Sequence, residues 1–342
     1  MNHMKNTMES RTLSGEYGNT AEEISQANSI FQQPYWLEAV SPGQWGAAVV
    51  SSGGHIVARL PYVIHKELGL TRLIMPKLTK FLGPWISPAT GKYASELARQ
   101  KDIMFGLIGQ LPRFDFFAQN FHYSITNWLP FYWKGFSQTT RYSYVLDDIH
   151  GEERLWSELQ GNIRREIRKA GRQVEVRDDL GIDSFLALNR KTFARQGMPL
   201  PYTRELVLRI DAVLGQRNQR KIFFAEDTKG RIHAALYLIW DSDSAFYLMG
   251  GADPDLRNSG SSSLLMWEAI RFSSTVTRRF DFEGSMLEPI ERFFRGFGAR
   301  QQPFFTITST TRRMRWYSLY LDISERVSKI LRQRLATLPI RS

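Results

Sequence analysis

The sequence predicts an α/β (α+β) protein built from two copies of one unit, and three observations support this. The chain has 342 residues, which exceeds one ordinary domain. Residues 221–251 read as three strands separated by Asp-Thr-Lys-Gly and Asp-Ser-Asp-Ser turns, and a helix follows over about 261–275. Residues 121–146 and 280–307 share one order: strand, loop with proline, aromatic-basic helix, Gly-Phe, strand.

The two repeated segments differ in their acids. Pairing Phe121 with Phe280 leaves the second loop two residues longer than the first. In that alignment His122 stands where the second copy has Asp281, and the first copy has no acid up to Pro130. The alignment therefore predicts that the second copy carries chemistry that the first does not.

Composition and charge limit the function classes. The net charge of +11 favours anionic partners such as phosphates, nucleic acid or an acidic membrane face. The absence of cysteine excludes disulfides, thiolate zinc sites and cysteine nucleophiles. The histidines lack a metal-ligand spacing, so no metal site is predicted. Without a signal-like segment or an apolar run of about 20 residues, we expect a cytoplasmic protein with no transmembrane segment.

The chain divides into four predicted segments. Residues 1–28 are polar without apolar periodicity and are predicted to be a disordered lead-in. The first unit spans 29–148 and ends at the acidic, turn-forming run DDIHGEE. The second unit spans 149–310, and a basic helix occupies 311–342. That helix is expected to pack on the domain. Peripheral contact with an anionic membrane is the weaker alternative.

One loop between a predicted strand and helix has the composition of an anion cradle. Unpaired N–H groups and the helix dipole favour negative charge at a helix start. A glycine allows close approach, serines add hydroxyl donors, and an arginine can bind phosphate bidentately. The alternative is an ordinary serine N-cap. The predicted donor-binding residues are Arg257, Asn258, Ser259, Gly260, Ser261 and Ser262.

Two acids lie two residues apart on the strand that opens the second repeated segment. Asp281 and Glu283 are predicted to face the same side of that strand. Buried carboxylates are costly unless paired, so they should form an ion pair or line a cleft. A raised pKa in a cleft suits a base that accepts an amine proton. Glu283 is favoured because it lies beside Gly284, and the alternative is a salt bridge to Arg295 or to the basic helix.

A basic helix opens the second unit and presents charge on one side. A phosphorylated acceptor or RNA suits such a face, and a solvated charged face is the alternative. His233 lies on a predicted strand and is expected to line a cleft wall or the core. The predicted substrate-binding residues are Arg164, Arg165, Arg168, Lys169 and His233.

These motifs carry a family resemblance that covers roughly residues 30–308. The spacing from Arg257 to Ser262, after three strands and before a helix, resembles the pyrophosphate loop of the GNAT acyltransferase superfamily. The acidic strand that leads to Gly296-Phe297-Gly298, and the helix GNIRREIRKAGRQVEV, resemble FemAB-like, peptidoglycan-aminoacyltransferase-like members. The resemblance implies two tandem GNAT-like domains, each a mixed, mainly antiparallel sheet flanked by helices.

The resemblance also implies an activity. Such enzymes move an acyl or aminoacyl group from acyl-CoA, for example acetyl-CoA, or from aminoacyl-tRNA to an amine. The expected acceptor is a small molecule, glycan or peptide related to the cell envelope or to polysaccharide. Glu283 would act as base with Asp281 beside it, and Arg295 would match the basic residue before Gly-Phe. No metal is implied.

One departure from the family pattern supports a rival function. Many GNAT enzymes carry a tyrosine general acid about four residues before the Gly-Phe pair, where this chain has Arg292. A degenerate, non-catalytic module that binds tRNA or a phosphorylated glycan is therefore the alternative.

Overall fold

A computed structural model describes residues 9–13 and 26–317. The strands are β1 (Glu9–Leu13), β2 (Trp45–Ser52), β3 (His55–Glu67), β4 (Leu70–Ile74), β5 (Trp85–Ile86), β6 (Phe116–Asn120), β7 (Ser137–Leu146), β8 (Val174–Arg177), β9 (Arg220–Asp227), β10 (Ile232–Trp240), β11 (Ser244–Ala252), β12 (Arg279–Asp281) and β13 (Arg300–Thr310). The helices are α1 (Pro34–Val40), α2 (Tyr93–Gly109), α3 (Leu129–Trp133), α4 (Glu152–Glu158), α5 (Gly161–Ala170), α6 (Ile182–Arg195), α7 (Arg204–Gly215), α8 (Ser261–Ser273) and α9 (Glu288–Arg295).

One sheet runs through both halves of the described chain. Its order is β1-β2-β3-β4-β6-β13-β7-β12-β11-β10-β9-β8, with β5 added to β3. The β4–β6 and β11–β12 pairs are parallel, whereas the other strand pairs are antiparallel. The predicted fold class, a mixed and mainly antiparallel sheet flanked by helices, is confirmed.

The two halves exchange their last strands. β7, from the first half, pairs with β12 of the second half, while β13 lies between β6 and β7. Neither half completes its part of the sheet with its own strands. The DDIHGEE run therefore separates two stretches of chain that share one continuous sheet.

An approximate two-fold axis relates the repeated segments. Aligning Gly135 with Gly296 also aligns Tyr142 with Pro303, and these two residues are direct partners in the β7–β13 ladder. Equivalent residues that face each other across an antiparallel pair lie on a local two-fold axis. The repeat that the sequence predicted is thus a symmetric pair of strands at the centre of the sheet.

The structure corrects the alignment within the repeat. The Phe121 N–H donates to the carbonyl of Phe305, and the Phe282 N–H donates to the carbonyl of Tyr144. These two hydrogen bonds are equivalent in the repeat only when Phe121 is aligned with Phe282, because Phe305 then aligns with Tyr144. Aligning Phe121 with Phe280 does not make them equivalent. The two loops then have equal length, so the predicted two-residue difference between them was wrong.

Successive side chains along a strand pack against two different layers of helices, one on each face of the sheet. On β10, Ala234, Leu236 and Leu238 belong to the core formed with α4, α5, α8 and α9. Ala235, Tyr237 and Ile239 belong to the core formed with α1, α6 and α7. A further core joins α2 and α3 to β2 and β3. The period of two in a strand sends successive residues to opposite layers.

The predicted end segments fall largely outside the described residues. Within the lead-in 1–28, Glu9–Leu13 forms β1 and pairs antiparallel with β2, which the sequence did not predict. The predicted C-terminal helix begins at residue 312, and residues 318–342 lie outside the described part. Across 9–13 and 26–317, no helix has both the length and the apolar character needed to span a membrane.

Candidate functional site

A cleft opens where β11 and β12 part. The two strands pair in parallel only over Ser244–Phe246 and Arg279–Asp281. Leu248 is an extra residue in the β10–β11 ladder, since Tyr237 pairs with Met249 and Leu238 pairs with Tyr247. Such a bulge bends the strand. The cleft of about 650 Å³ is lined by residues of β11, α6, α8, α9 and the turn after β12.

Two glycines of β11 shape the wall of the cleft. A Cβ on Gly250 would lie 2.0 Å from the hydroxyl oxygen of Tyr247, so this glycine makes room for the phenol. A Cβ on Gly251 would lie 2.9 Å from the backbone nitrogen of Asn189, so this one allows α6 to approach. Tyr247 lines the cleft, and burial raises its pKa to about 12. The sequence analysis missed Tyr247 because an apolar strand surrounds it.

Helix α6 covers the edge of β11 that faces the gap. The Asn189 side-chain amide donates to the carbonyl of Gly250 at 2.7 Å and accepts from the hydroxyl of Tyr202 at 2.9 Å. The Thr192 hydroxyl accepts from the Ala252 N–H at 2.9 Å and donates to the Ala252 carbonyl at 3.1 Å. A ligand that pairs with this edge has to displace both α6 side chains.

Glu283 lies in a turn and not on the strand, which corrects the prediction. β12 ends at Asp281, and Glu283 and Gly284 have φ of +59° and +62°. Glu283 lines the cleft, and its Oε1 is buried without a hydrogen-bond partner. Burial raises the pKa of Glu283 well above its ordinary value, nearby Lys80 lowers it, and Asp281 raises it further. This carboxyl group therefore has the environment of a proton acceptor.

Asp281 holds the Glu283 turn through a hydrogen bond to its backbone. It is fully buried, and its Oδ1 accepts hydrogen bonds from the Ser143 hydroxyl and, at 2.7 Å, from the Glu283 N–H. Burial raises the pKa of Asp281 to about 6, against the lowering effects of the Ser143 bond and of Lys80. The structure thus brings the two predicted acids together, with Glu283 on the cleft and Asp281 behind it.

The positive charge of Lys80 lowers the pKa of both acids, and the sequence analysis missed this residue. It lies in the loop of residues 75–84, here called the 75–84 loop, which belongs to the first half of the chain. Its Nζ is 5.0 Å from the ring centroid of Phe304. The alternative ion pair of the acids with Arg295 or with the basic helix is absent from the described residues. No local pattern links Lys80 to residues so distant in sequence.

The predicted anion loop packs tightly against α5. Gly260 has φ of +83°, and a Cβ there would lie 2.6 Å from the carbonyl oxygen of Glu166. The Ser263 hydroxyl donates to the Glu166 carboxylate, and Lys169 donates to the Asn258 carbonyl. Gly260 is therefore required for the close approach of two helices.

The six predicted donor-binding residues divide by exposure. The hydroxyls of Ser259 and Ser261 are buried and hydrogen-bond each other at 2.8 Å. Arg257 and Asn258 are exposed, and Ser262 is exposed at the first turn of α8, where it lines the cleft. The accessible part of the loop is thus Arg257, Asn258 and Ser262.

The remaining predicted residues lie away from the cleft lining. Arg295 pairs with Glu291 at 2.9 Å on the outer side of α9, with 54% of its side chain exposed. His233 is buried, and its Nε2 bonds Asp227 at 3.1 Å.

The basic helix α5 uses part of its charge within the fold. Arg164 donates to the carbonyls of Trp156 and Ser157, and Arg168 lies over the Trp156 ring at 5.5 Å. Arg165, Arg168 and Lys169 remain exposed. In the described part of the chain, no group of His, Asp and Glu side chains could hold a metal ion.

Comparison with known proteins finds a family model that matches part of the chain and solved structures that share its fold. Residues 157–294 match the family model described as an acetyltransferase (GNAT) domain. No curated protein matches the sequence. The structure is similar to that of FemX, with 11% identity, a TM-score of 0.62, and coverage of 83% of this chain and 94% of FemX.

Two further solved structures share the architecture. One is a tandem GNAT protein from the clavulanic acid biosynthesis pathway, with 10% identity, a TM-score of 0.53, and coverage of 89% of this chain and 98% of that one. The other is the C-terminal domain of a putative lysylphosphatidylglycerol synthetase from Agrobacterium fabrum, with 12% identity, a TM-score of 0.51, and coverage of 87% and 92%. Residues 157–294 thus match a GNAT domain, and the described chain has the tandem GNAT fold that the resemblance predicted.

Proposed function

We propose that this protein is an N-acyltransferase and that the cleft between β11 and β12 is its reaction site. The observation that carries the proposal is the carboxyl group of Glu283, buried without a hydrogen-bond partner at one oxygen and placed on the wall of that cleft. An amine that attacks an acyl carbonyl has to lose a proton, and a carboxylate of raised pKa suits that task. The GNAT domain supports acyl transfer as the reaction class.

The donor we propose is an acyl-CoA, with aminoacyl-tRNA as the alternative. Ser262, in the first turn of α8, lines the cleft, and this turn offers N–H groups for phosphates, while the exposed Arg257 of the same loop adds positive charge. Leu265, Met266 and Phe293 give the cleft an apolar wall suited to an acyl chain. Both donor types combine phosphates with a reactive acyl carbonyl. The acceptor we propose is an amine of a cell-envelope or polysaccharide-related molecule.

The N-terminal unit is proposed to support the site and to contact the acceptor, because its own chain fills the corresponding gap. In the first half, β4 and β6 form the parallel pair that corresponds to β11 and β12. Past the end of this pair, the 75–84 loop occupies the place of the cleft, and the Leu82 N–H donates to the Asn120 carbonyl at 2.8 Å. The Gly83 N–H donates to the Gln119 side chain at 3.1 Å, and a Cβ on Gly83 would lie 2.4 Å from the Phe121 ring. We therefore expect one donor to bind per chain.

Calorimetric titration and thermal-shift assays with acetyl-CoA, longer acyl-CoAs and aminoacyl-tRNA test the proposal. A true donor present at 100 times its dissociation constant should stabilise the protein by about 2.7 kcal/mol. The stoichiometry should be one, and mass spectrometry should then detect an acylated amine. Binding without transfer to any amine tested, or no response to either donor class, would favour the non-catalytic module that binds a phosphorylated glycan or tRNA.

Replacing Arg257 with alanine is expected to weaken acyl-CoA binding about tenfold, since a charge-assisted phosphate bond contributes roughly 1.5 kcal/mol or more. The side chain is exposed, so the free energy of unfolding should not change. Arg190→Ala is the matched control, because Arg190 is also exposed but belongs to α6 and not to the 257–262 loop. Equal dissociation constants for the two variants would remove Arg257 from the donor site.

A further inference from the structure

The two walls of the cleft belong to opposite faces of the sheet. Leu265 and Phe294 line one wall, and both belong to the core formed with α4, α5, α8 and α9. Leu78 and Tyr202 line the other wall, and both pack against the core formed with α1, α6 and α7. Glu283 lines the same cleft, in the turn after β12. The gap between β11 and β12 therefore connects the two faces.

This arrangement gives each substrate its own wall. The first turn of α8, with Ser262 on the cleft, lies on the first face, so a donor held there by its phosphates occupies that wall. In acyl transfer the amine nitrogen bonds to the acyl carbon, the bond from that carbon to the donor breaks, and an amine proton ends on the departing group. The acceptor therefore has to reach Glu283 along the second wall.

Both halves of the chain contribute to the second wall. The ring of Tyr202 lies 6.3 Å from that of Phe193, edge to face, and both residues line the cleft. Leu78 comes from the 75–84 loop and has φ of +59°, a conformation that costs roughly 1 to 2 kcal/mol in a non-glycine residue. The next residue fixes it, since the Trp36 indole donates to the Thr79 hydroxyl at 3.0 Å. The second wall is thus largely apolar and aromatic.

Arg195 places a positive charge on this wall. It is the last residue of α6, its side chain is exposed, and it lines the cleft. Within residues 9–13 and 26–317, its guanidinium has no ion pair and no hydrogen bond. Of the residues that line the cleft, Arg195 and Glu283 are the two with charged side chains. The cleft therefore offers one cationic and one anionic group, separated by apolar surface.

We propose that Arg195 binds an anionic group of the acceptor, so that the acceptor is an amine that also carries a carboxylate or a phosphate. The amine lies at Glu283, the anion lies at Arg195, and the part between them contacts Leu78 and Tyr202. This inference rests on the acyltransferase function proposed above. The planar guanidinium can bind either anion bidentately. A neutral amine would leave Arg195 unpaired, and a diamine would place a second positive charge beside it.

Steady-state kinetics with matched acceptors tests the inference. The carboxylate series is glycine, β-alanine, γ-aminobutyrate and ε-aminocaproate, each compared with its amide, and the phosphate pair is glucosamine phosphate and glucosamine. The anionic member of at least one type should have a KM lower by about tenfold, as expected for a charge-assisted hydrogen bond. One length should be preferred in the carboxylate series, because the two charged residues are fixed. Equal KM values within every pair would overturn the inference.

Variants at Arg195 show whether this residue causes the preference. Arg195→Gln should abolish it with little change in kcat, and Arg195→Lys, which keeps the charge, should retain part of it. Arg195→Glu should reverse it, so that putrescine and cadaverine become better acceptors than the aminocarboxylates. Arg190→Gln is the matched control, since Arg190 is an exposed arginine of the same helix, and it should keep the wild-type preference. An unchanged preference in Arg195→Gln would overturn the inference.

A binding measurement without donor separates this inference from the proposed function. Saturation-transfer NMR follows the binding of the aminocarboxylates and of glucosamine phosphate to the wild-type protein and to Arg195→Gln. If no acyl transfer is found but binding is lost in Arg195→Gln, the anion site stands and the acyltransferase assignment fails. If transfer occurs and the two proteins bind and acylate the anionic acceptors equally well, the acyltransferase assignment stands and the anion site is overturned.

Discussion

Replacing Glu283 with glutamine is expected to lower kcat/KM for acyl transfer by about 10² to 10⁴, which is the usual contribution of a general base. That loss corresponds to roughly 2.7 to 5.4 kcal/mol of transition-state stabilisation, at 1.36 kcal/mol per tenfold. Glutamine keeps the size and shape of the side chain in the turn but cannot accept the amine proton. The ascending limb of the pH profile should disappear, and donor affinity should stay unchanged in calorimetric titration.

Glu288→Gln is the matched control for this experiment. Glu288 lies at the start of α9, only a few residues beyond Glu283, but its side chain is exposed and lies outside the cleft lining. The control should retain both the rate and the pH profile. A Glu283→Gln variant that kept its turnover at all pH values would show that Glu283 is not the base. That result would favour the non-catalytic binding module.

Replacing Gly284 with alanine is expected to destabilise the fold by about 2 to 5 kcal/mol. Gly284 has φ of +62°, a conformation that costs an L-residue roughly 1 to 2 kcal/mol. In addition, a Cβ there would lie 2.2 Å from the carbonyl oxygen of Tyr142 and 2.5 Å from the Cα of Ser143, both on the rigid strand β7. The free energy of unfolding from urea titration measures the loss.

Gly43→Ala separates the two contributions. Gly43 has nearly the same φ, +63°, but a Cβ added there would meet nothing within 4 Å, so only the conformational cost remains. We expect this variant to lose about 1 to 2 kcal/mol. Equal losses in the two variants would show that β7 gives way, and that the turn carrying Glu283 is not held against it.

The sequence predicted those features that depend on short-range patterns. The alternation of apolar residues in 221–251 and the turn residues between them predicted β9, β10 and β11, because strand periodicity is local. The Gly-Phe pairs predicted a repeat, which the symmetric β7–β13 ladder confirms. The motif from Arg257 to Ser262 and the acidic strand predicted the GNAT domain.

Errors arose where a conformation depends on contacts distant in sequence. Glu283 was predicted to continue the strand because residue spacing cannot reveal the left-handed turn that β7 and Gly284 impose. Lys80 was not predicted to influence Glu283, since the loop that carries it belongs to the other unit. Tyr247 was not predicted because it lies in an apolar strand, and the sequence does not reveal the bulge at Leu248 that separates β11 from β12.

The sequence by itself determined the fold class, the repeat and the presence of an acid near a phosphate-type loop, since each is written in residues close together along the chain. Only the tertiary structure decided which acid lines the cleft and which acid holds the turn that carries it. Strand exchange brings β7 against β12, and Ser143 on β7 then fixes Asp281 under the Glu283 turn. Burial at that junction sets the charge of the site, and burial is a property of the assembled sheet and not of any segment within it.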